Sequence, residues 1–387
     1  MHKIDTFNSL AKDVIAWRRH LHQYPELGYQ LHKTARFVAD KLKSFGVDQI
    51  ETGIAETGIV AAIKGKLGDG PTIGLRADMD ALPISEASDK PWTSRTSGLM
   101  HACGHDGHTA MLLGAAKHLT ETRDFRGRVA FIFQPAEEDG RGALRMVEEG
   151  VMDRFNVSRV FGMHNEPGIE VGKFGICYGT IMAALDEFDI IVTGKGGHAA
   201  EPHRCIDPVV IAAQVILGLQ TLVSRNTNPL DSLVISVTTL NAGGAYNIIP
   251  ERVQLSGTVR TLRSDLRDFA ELRIHQAAQA IAHGFGGQIE FKYRRLEPVT
   301  RNHREETSLA IEVARNLVGE DAVDDKFPPS MGTEDFCYMS EARPAAYILV
   351  GNGETAALHN PSYDFNDEAV RYGVAYWVDL VEKALAA

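Results

Sequence analysis

From Ile4 onward the apolar positions Phe7, Leu10, Val14, Trp17 and Leu21 recur every third or fourth residue, the period of a helix with one buried face. A turn-like QYPELGY follows, and the run through Phe37, Val38, Leu42 and Phe45 predicts a second helix that stops near Gly46. GIVAAIKG and TIGLRAD are short apolar runs bounded by Gly, Pro and Asp, which suits buried strands. Met111, Leu112, Ala115 and Leu119 resume the helical period; RVAFIFQP then reads as a strand, GALRMVEEG as a helix and RVFGMHN as a strand. This alternation predicts an α/β domain with a mostly parallel sheet flanked by helices. Ligands of such sheets gather beyond the carboxyl ends of the strands. The polar residues in RADMD, QPAEE and GMHNEP each sit just past a strand candidate.

Between about Ala184 and Arg294 the texture changes. EFDIIVTG, SLVISVTTL, RVQLSGTVRTL and GQIEFKYR read as strands, interleaved with a helical DPVVIAAQVILGL and a long helical stretch to His283. Four strands and two helices make a smaller α+β module. Alternation then returns with a helix around Leu309 to Leu317, the strand AAYILVG and a closing helix from Asp367 to Leu385. The expected organisation is a catalytic domain of residues 1–183 and 295–387, interrupted by an inserted domain of residues 184–294. A chain of 387 residues also exceeds the size at which single cores stop growing.

Charge narrows the partners. Lys plus Arg is 40 against 51 Asp plus Glu, a net −11 with no basic block, which argues against a nucleic-acid surface. Charges at Lys3, Asp5, Lys12 and Asp13 break any apolar signal-peptide core. No run of roughly 18 apolar residues is present to span a membrane, so a soluble, cytoplasmic protein is expected. Cys103, Cys177, Cys205 and Cys337 are far apart and form no CxxC pair, a poor basis for a disulfide framework.

The densest chemistry is MHACGHDGHTAMLL, where His101, Cys103, His105 and His108 run straight into a helical segment. Thiolate and imidazole two residues apart suit zinc and related divalent metals, although a buried cysteine beside surface histidines fits a lone Cys-x-His equally well. Three other places shift the balance. Glu137 and Glu138 leave the strand RVAFIFQP together and point in different directions, so one can bind a metal while the other acts as a general base. His164 in GMHNEP directly follows a strand, and His359 in ALHNPSYDF comes after a strand and near the C-terminus. Cys103, His105, Glu138, His164 and His359 are five donors, more than one structural site needs and enough for two metals. Asp78 suits a carboxylate that orients a ligand imidazole.

The chain also resembles a known family. RRHLHQYPELGY, RADMDALPI, MHACGHDGHTAMLLGAA, FIFQPAEE, GMHNEP, GKGGHAAEPH, NIIPE, GTVRT and GTEDF fall in the order seen in the metallo-amidohydrolases that include hippurate hydrolase, N-acyl-amino-acid deacylases and auxin-conjugate hydrolases. The resemblance covers essentially the whole chain. It implies two divalent ions per subunit, of Zn, Mn, Co or Ni, held by Cys103, His105, Glu138, His164 and His359, with Glu137 as general base. The inserted module resembles the family's lid and dimerisation domain, implying a homodimer. His198 matches a histidine that stabilises the oxyanion, acting in its own or a neighbouring subunit. Asn247 and Arg260 match substrate-contacting positions, Arg260 being suited to a substrate carboxylate. Thr333 stands where the pattern has Ser, and Gln30 and Leu31 replace an acidic stretch.

The implied reaction is metal-dependent hydrolysis of the amide of an N-acyl or N-aroyl amino acid. Two alternatives stand beside it: a hydrolase with Cys103 as thiol nucleophile, and a relative that binds acyl-amino acids without turnover.

Overall fold

The computed structural model describes residues 3–138 and 140–386. The chain forms two units: one takes in the chain up to Gly179, Arg301–Pro328 and the residues from Asp335 onward, and the other Thr180–Thr300 with Pro329–Glu334.

In the first unit, α1 (Asn8–Gln23) buries Val14, Trp17 and Leu21 of the expected stripe, with Leu10 half-buried, and Ala11, Arg18 and His22 are buried beside them. α2 (His32–Phe45) ends at Gly46, whose φ of +78° supplies the left-handed residue that closes a helix. α3 (His105–Thr122) is buried on nearly every side, as a helix inside a domain must be. It packs against α1, α2 and the helix Ala369–Ala384.

The sheet of this unit has eight strands: β1 (Gln49–Ile54), β2 (Gly58–Lys64), β3 (Thr72–Asp78), β4 (Arg128–Gln134), β5 (Val157–Pro167), β6 (Phe174–Gly175), β7 (Val323–Asp324) and β8 (Ala345–Gly353). Their order is β1-β2-β4-β3-β5-β8-β6-β7. The centre, β4-β3-β5-β8, is parallel, whereas β1 and β2 pair antiparallel with their neighbours, as does β6 with β8. The mostly parallel expectation therefore describes the centre better than the margins. Register explains why the chemistry converges. Asp78 lies opposite Gln134 and Arg76 opposite Gly162, so the residues that follow these strands leave the sheet at one edge.

The second unit is built on a four-stranded antiparallel sheet, ordered Leu233–Ala242, Arg252–Thr261, Ala184–Thr193, Gln288–Arg295. Burial alternates strictly along Ala184–Thr193, the mark of a strand with one face on a core. The helices Pro208–Asn226 and Ser264–Gly284 cover that face through Ile211, Val215, Leu219 and Ile274, against Phe188, Ile190 and Leu255. By length and composition Pro208–Asn226 is long and apolar enough to cross a membrane, with a window of mean hydropathy 1.4. This corrects the expectation that no segment qualifies. Its Ile211, Ala212, Val215, Leu219 and Leu222 are buried in the core of this unit, whereas Val209, Val210 and Leu217 are exposed.

Candidate metal centre

Three structural devices aim the donors in the first unit. The turn ahead of α3 carries Cys103 and His105 around Gly104, at φ +88°, where a Cβ would lie 2.1 Å from Asn165 Oδ1 and 2.6 Å from the Tyr363 hydroxyl. Only glycine fits there. The β4 exit carries Glu137 and Glu138 behind Ala136, a non-glycine residue at φ +53°. His359 itself sits at φ +63°, with its N–H donated to Ala102 O at 2.8 Å. Left-handed backbone at a non-glycine residue costs on the order of 1–2 kcal/mol, and such strain collects at functional sites.

The donor atoms come together. Cys103 Sγ lies 3.3 Å from His164 Nε2, and donor atoms of Cys103, His105 and His164 fall within 4.8 Å of one another. The same holds for Cys103, Glu138 and His359, and for His105, Glu137 and Glu138. Cys103 therefore belongs to two groups. His359 Nε2 is 3.3 Å from Glu138 Oε2, and His105 Nε2 is 3.8 Å from Glu138 Oε1 and 4.0 Å from Glu137 Oε2.

Hydrogen bonding leaves the right lone pairs exposed to these groups. His105 Nδ1 lies 2.9 Å from Asp80 O and His164 Nδ1 2.6 Å from Asn165 O. A carbonyl can only accept, so each Nδ1 carries a proton and, in the neutral ring that binds a metal, Nε2 presents the lone pair, the usual arrangement of a ligand histidine. His105 Nε2 and Glu138 Oε1 are buried without a hydrogen-bond partner among the described residues. Soft and hard donors in one cluster that runs from buried Cys103, His105 and His164 to exposed His359, with unsatisfied atoms at His105 and Glu138, fit divalent metal ions.

Electrostatics agree. Burial by itself would lower the pKa of His105, but the carboxylates of Asp78, Glu138 and Asp80 overcome it and push the imidazole up to about 10. This pocket favours positive charge. His164 goes the other way, held well below its ordinary value by burial and by the neighbouring His108.

Asp78 is tied elsewhere than to the donors. Its Oδ1 is 2.6 Å from His108 Nδ1 and its Oδ2 2.7 Å from Arg76 Nη1, while His105 Nε2 is 3.8 Å from Oδ2. His108 spends its other nitrogen on Asn165, 2.7 Å from Oδ1. The carboxylate that backs the donors most directly is Asp80, which the sequence reading passed over. It accepts from Glu137 N at 3.0 Å and from Glu138 N at 3.1 Å, and its carbonyl holds His105. The signal was present as the second acid of RADMD. Neither nitrogen of His101 has a hydrogen-bond partner among the described residues, and burial lowers its pKa to about 4.

Three of the predicted residues lie in the second unit. His198 and Ile248 pair across a short ribbon, and Asn247 O accepts from Ala199 N. His198 and Asn247 are exposed. His198 Nδ1 accepts from Ala200 N at 3.1 Å, which leaves the proton on Nε2. Arg260, on the strand Arg252–Thr261, donates from Nη1 to Thr333 Oγ1 at 3.0 Å.

Such a donor cluster at the strand ends of an α/β sheet is what a hydrolase with a metal centre presents. The chain belongs to peptidase family M20/M25/M40, whose sequence model matches residues 74–383. It is 40% identical over 368 residues to the N-acetylcysteine deacetylase of Bacillus subtilis (strain 168), covering 95% of each chain. The hippurate hydrolase of Campylobacter jejuni is also 40% identical over 368 residues, again covering 95% of each. Among solved structures, the Bacillus subtilis YXEP protein, described as a dinuclear metal binding peptidase from the M20 family, superimposes with a TM-score of 0.87 at 36% identity, covering 97% of this chain and 99% of that one.

Proposed function

We propose that this protein hydrolyses the amide bond of N-acyl or N-aroyl amino acids, of the hippurate or N-acetyl-amino-acid kind, releasing a carboxylic acid and a free amino acid. The observation that carries the reading is the convergence of Cys103, His105, Glu138, His164 and His359 beside Glu137. The names of the 40%-identical relatives supply the substrate class.

Two divalent ions per subunit would be held by these five residues, with Cys103 common to both groups of donors. When bound, such ions acidify a water and polarise the scissile carbonyl. Glu137 takes the proton of the attacking water and returns it to the amide nitrogen as the C–N bond breaks. Asp80 holds the backbone of Glu137 and Glu138, so the base and its neighbouring ligand keep their separation. His198, with its proton on Nε2, donates to the oxyanion. Arg260 takes the substrate carboxylate, and Asn247 contacts the substrate.

We assign residues 184–294 as a lid and dimerisation module in a homodimer. In support, Val210 and Leu217 are exposed on the helix Pro208–Asn226, and Leu233–Ala242 is an edge strand, a common site of pairing between chains. A cytoplasmic location accords with none of the four cysteines being in a disulfide among the described residues.

One contact favours a second reading: Cys103 Sγ against His164 Nε2 at 3.3 Å is also a thiol-imidazole pair. Burial depresses the pKa of that imidazole, which makes it a weak base for a thiol. The deciding assay is release of amino acid from hippurate, N-acetyl and longer N-acyl amino acids. Turnover should vanish on exhaustive chelation and return with Zn, Mn, Co or Ni. Turnover that survives chelation would overturn the metal reading in favour of Cys103.

A further inference from the structure

We propose that Arg18 is a positioning residue for the metal centre: one buried guanidinium on α1 ties the turn bearing Cys103 and His105 to the loop bearing His359. The inference rests on the metal reading above. Arg18 has a fully buried side chain, with Nε 2.8 Å from Asp106 Oδ2. Nη2 donates to Asp364 Oδ1 at 3.3 Å, and Nη1 lies 3.6 Å from Asp367 Oδ1. Asp106 directly follows His105, while Asp364 and Asp367 lie in the segment that follows His359.

Neighbouring contacts reinforce both arms. His22, also on α1, meets Asp106 Oδ2 through Nδ1 at 2.8 Å. Arg19 pairs with Asp367 at 2.7 Å. Phe365 lies under the Arg18 guanidinium, 5.5 Å from its Cζ, and against Gly107, where an added Cβ would meet its ring at 2.2 Å. The loop thus rests on both α1 and the start of α3.

A buried charge is costly and adds little net stability when paired, so this arrangement calls for a reason beyond stability. The guanidinium meets three carboxylates at once, with a hydrogen bond to Asp364 and ion-pair contacts to Asp106 and Asp367, a spread that the point charge of lysine does not have. Asp106 adjoins His105, and Asp364 and Asp367 lie five and eight residues beyond His359. Arg18 therefore fixes the distance between His105 and His359 without touching either.

The test is titration of the metal-free protein with Zn²⁺ in competition with a chromophoric chelator, alongside its thermal midpoint. Arg18→Lys should fold and weaken at least one of two Zn²⁺ sites by roughly 10–100-fold, the usual consequence of losing support behind a ligand. Asp364→Ala, at a partly exposed group, should weaken a site while leaving the thiolate-to-cobalt absorption of Co²⁺-loaded protein in place, because Cys103 is held from the other arm. A purely structural role would lower the midpoint and leave Zn²⁺ affinity per folded molecule unchanged. Wild-type affinity at both sites in folded Arg18→Lys overturns the inference. Should that variant not fold, wild-type affinity in Asp364→Ala does the same. Wild-type protein that takes up no Zn²⁺ would sink the metal reading itself, a distinct result.

Discussion

The polar network behind the metal donors in the first unit and the ribbon that carries His198 and Asn247 in the second live in opposite surroundings. In the first unit Asp78, His105, His108 and Asn165 are 0–2% exposed, and each is held by at least one other member of one network. Arg76 alone reaches Asp78, Gln134 and Asp335, at 2.7, 2.7 and 3.0 Å. In the second unit His198 and Asn247 are exposed and anchored by backbone contacts of a short ribbon. Cross-bonded buried groups cannot relax when one is removed. Exposed groups can be deleted without an unpaired partner being left behind. The first arrangement suits holding ions at fixed positions, and the second suits a group that meets substrate.

The widest separation between the units should come from Glu137→Gln. The variant keeps the volume and leaves Asp80 its two backbone donors, so Zn²⁺ content by elemental analysis should stay at the wild-type value. Turnover of an N-acyl amino acid should fall by up to about 10⁴-fold, the upper range for loss of a general base. Retained turnover would remove Glu137 from the chemistry.

His198→Ala is the corresponding deletion in the second unit, expected to cost about 10²–10³-fold in kcat, the range for one oxyanion donor. Thermal midpoint and metal content should not move, because the side chain is exposed. A drop in metal content would break the contrast between the units. Mixing His198→Ala with Glu137→Gln subunits then distinguishes the subunit of origin: partial recovery in mixed dimers requires a histidine supplied by the partner.

Much of this was legible in the sequence, for identifiable reasons. A strand shows itself as an apolar run, so Glu138 could be placed beyond β4 and His359 beyond β8 before any contact was known, while His164, expected just past a strand, lies inside β5 because pairing with β8 carries the strand on to Pro167. Periodicity also gave the face of α1. What periodicity could not give is the partner of a polar residue within that face. Arg18 and His22 occupy buried positions because of Asp106, Asp364 and Asp367, and pairing across such separations leaves no mark on local pattern. Asp80 was missed likewise, since its role depends on the backbone N–H groups of Glu137 and Glu138. β1 escaped notice because QIETGI has mixed burial and no apolar run, and β6 and β7 because two residues are too short to show a period.

The smallest effect is expected at Thr333, the departure from the family pattern. Its Oγ1 accepts from Arg260 Nη1 at 3.0 Å. Burial lowers the pKa of Arg260, an effect the nearby Glu297 opposes, so the guanidinium is partly desolvated and sensitive to its hydrogen bonds. Thr333→Val keeps the shape and removes the acceptor. A hydrogen bond to a charged group contributes about 1.5 kcal/mol, which corresponds to roughly tenfold in affinity. If Thr333 aims Arg260 at the substrate carboxylate, the loss should appear in KM with kcat unchanged, because that carboxylate is held alike in ground and transition states. Thr333→Ser, which restores the hydroxyl, should recover the wild-type KM. A lowered thermal midpoint with unchanged KM would instead make this contact structural, and the second unit would then hold its polar residues for the same reason as the first.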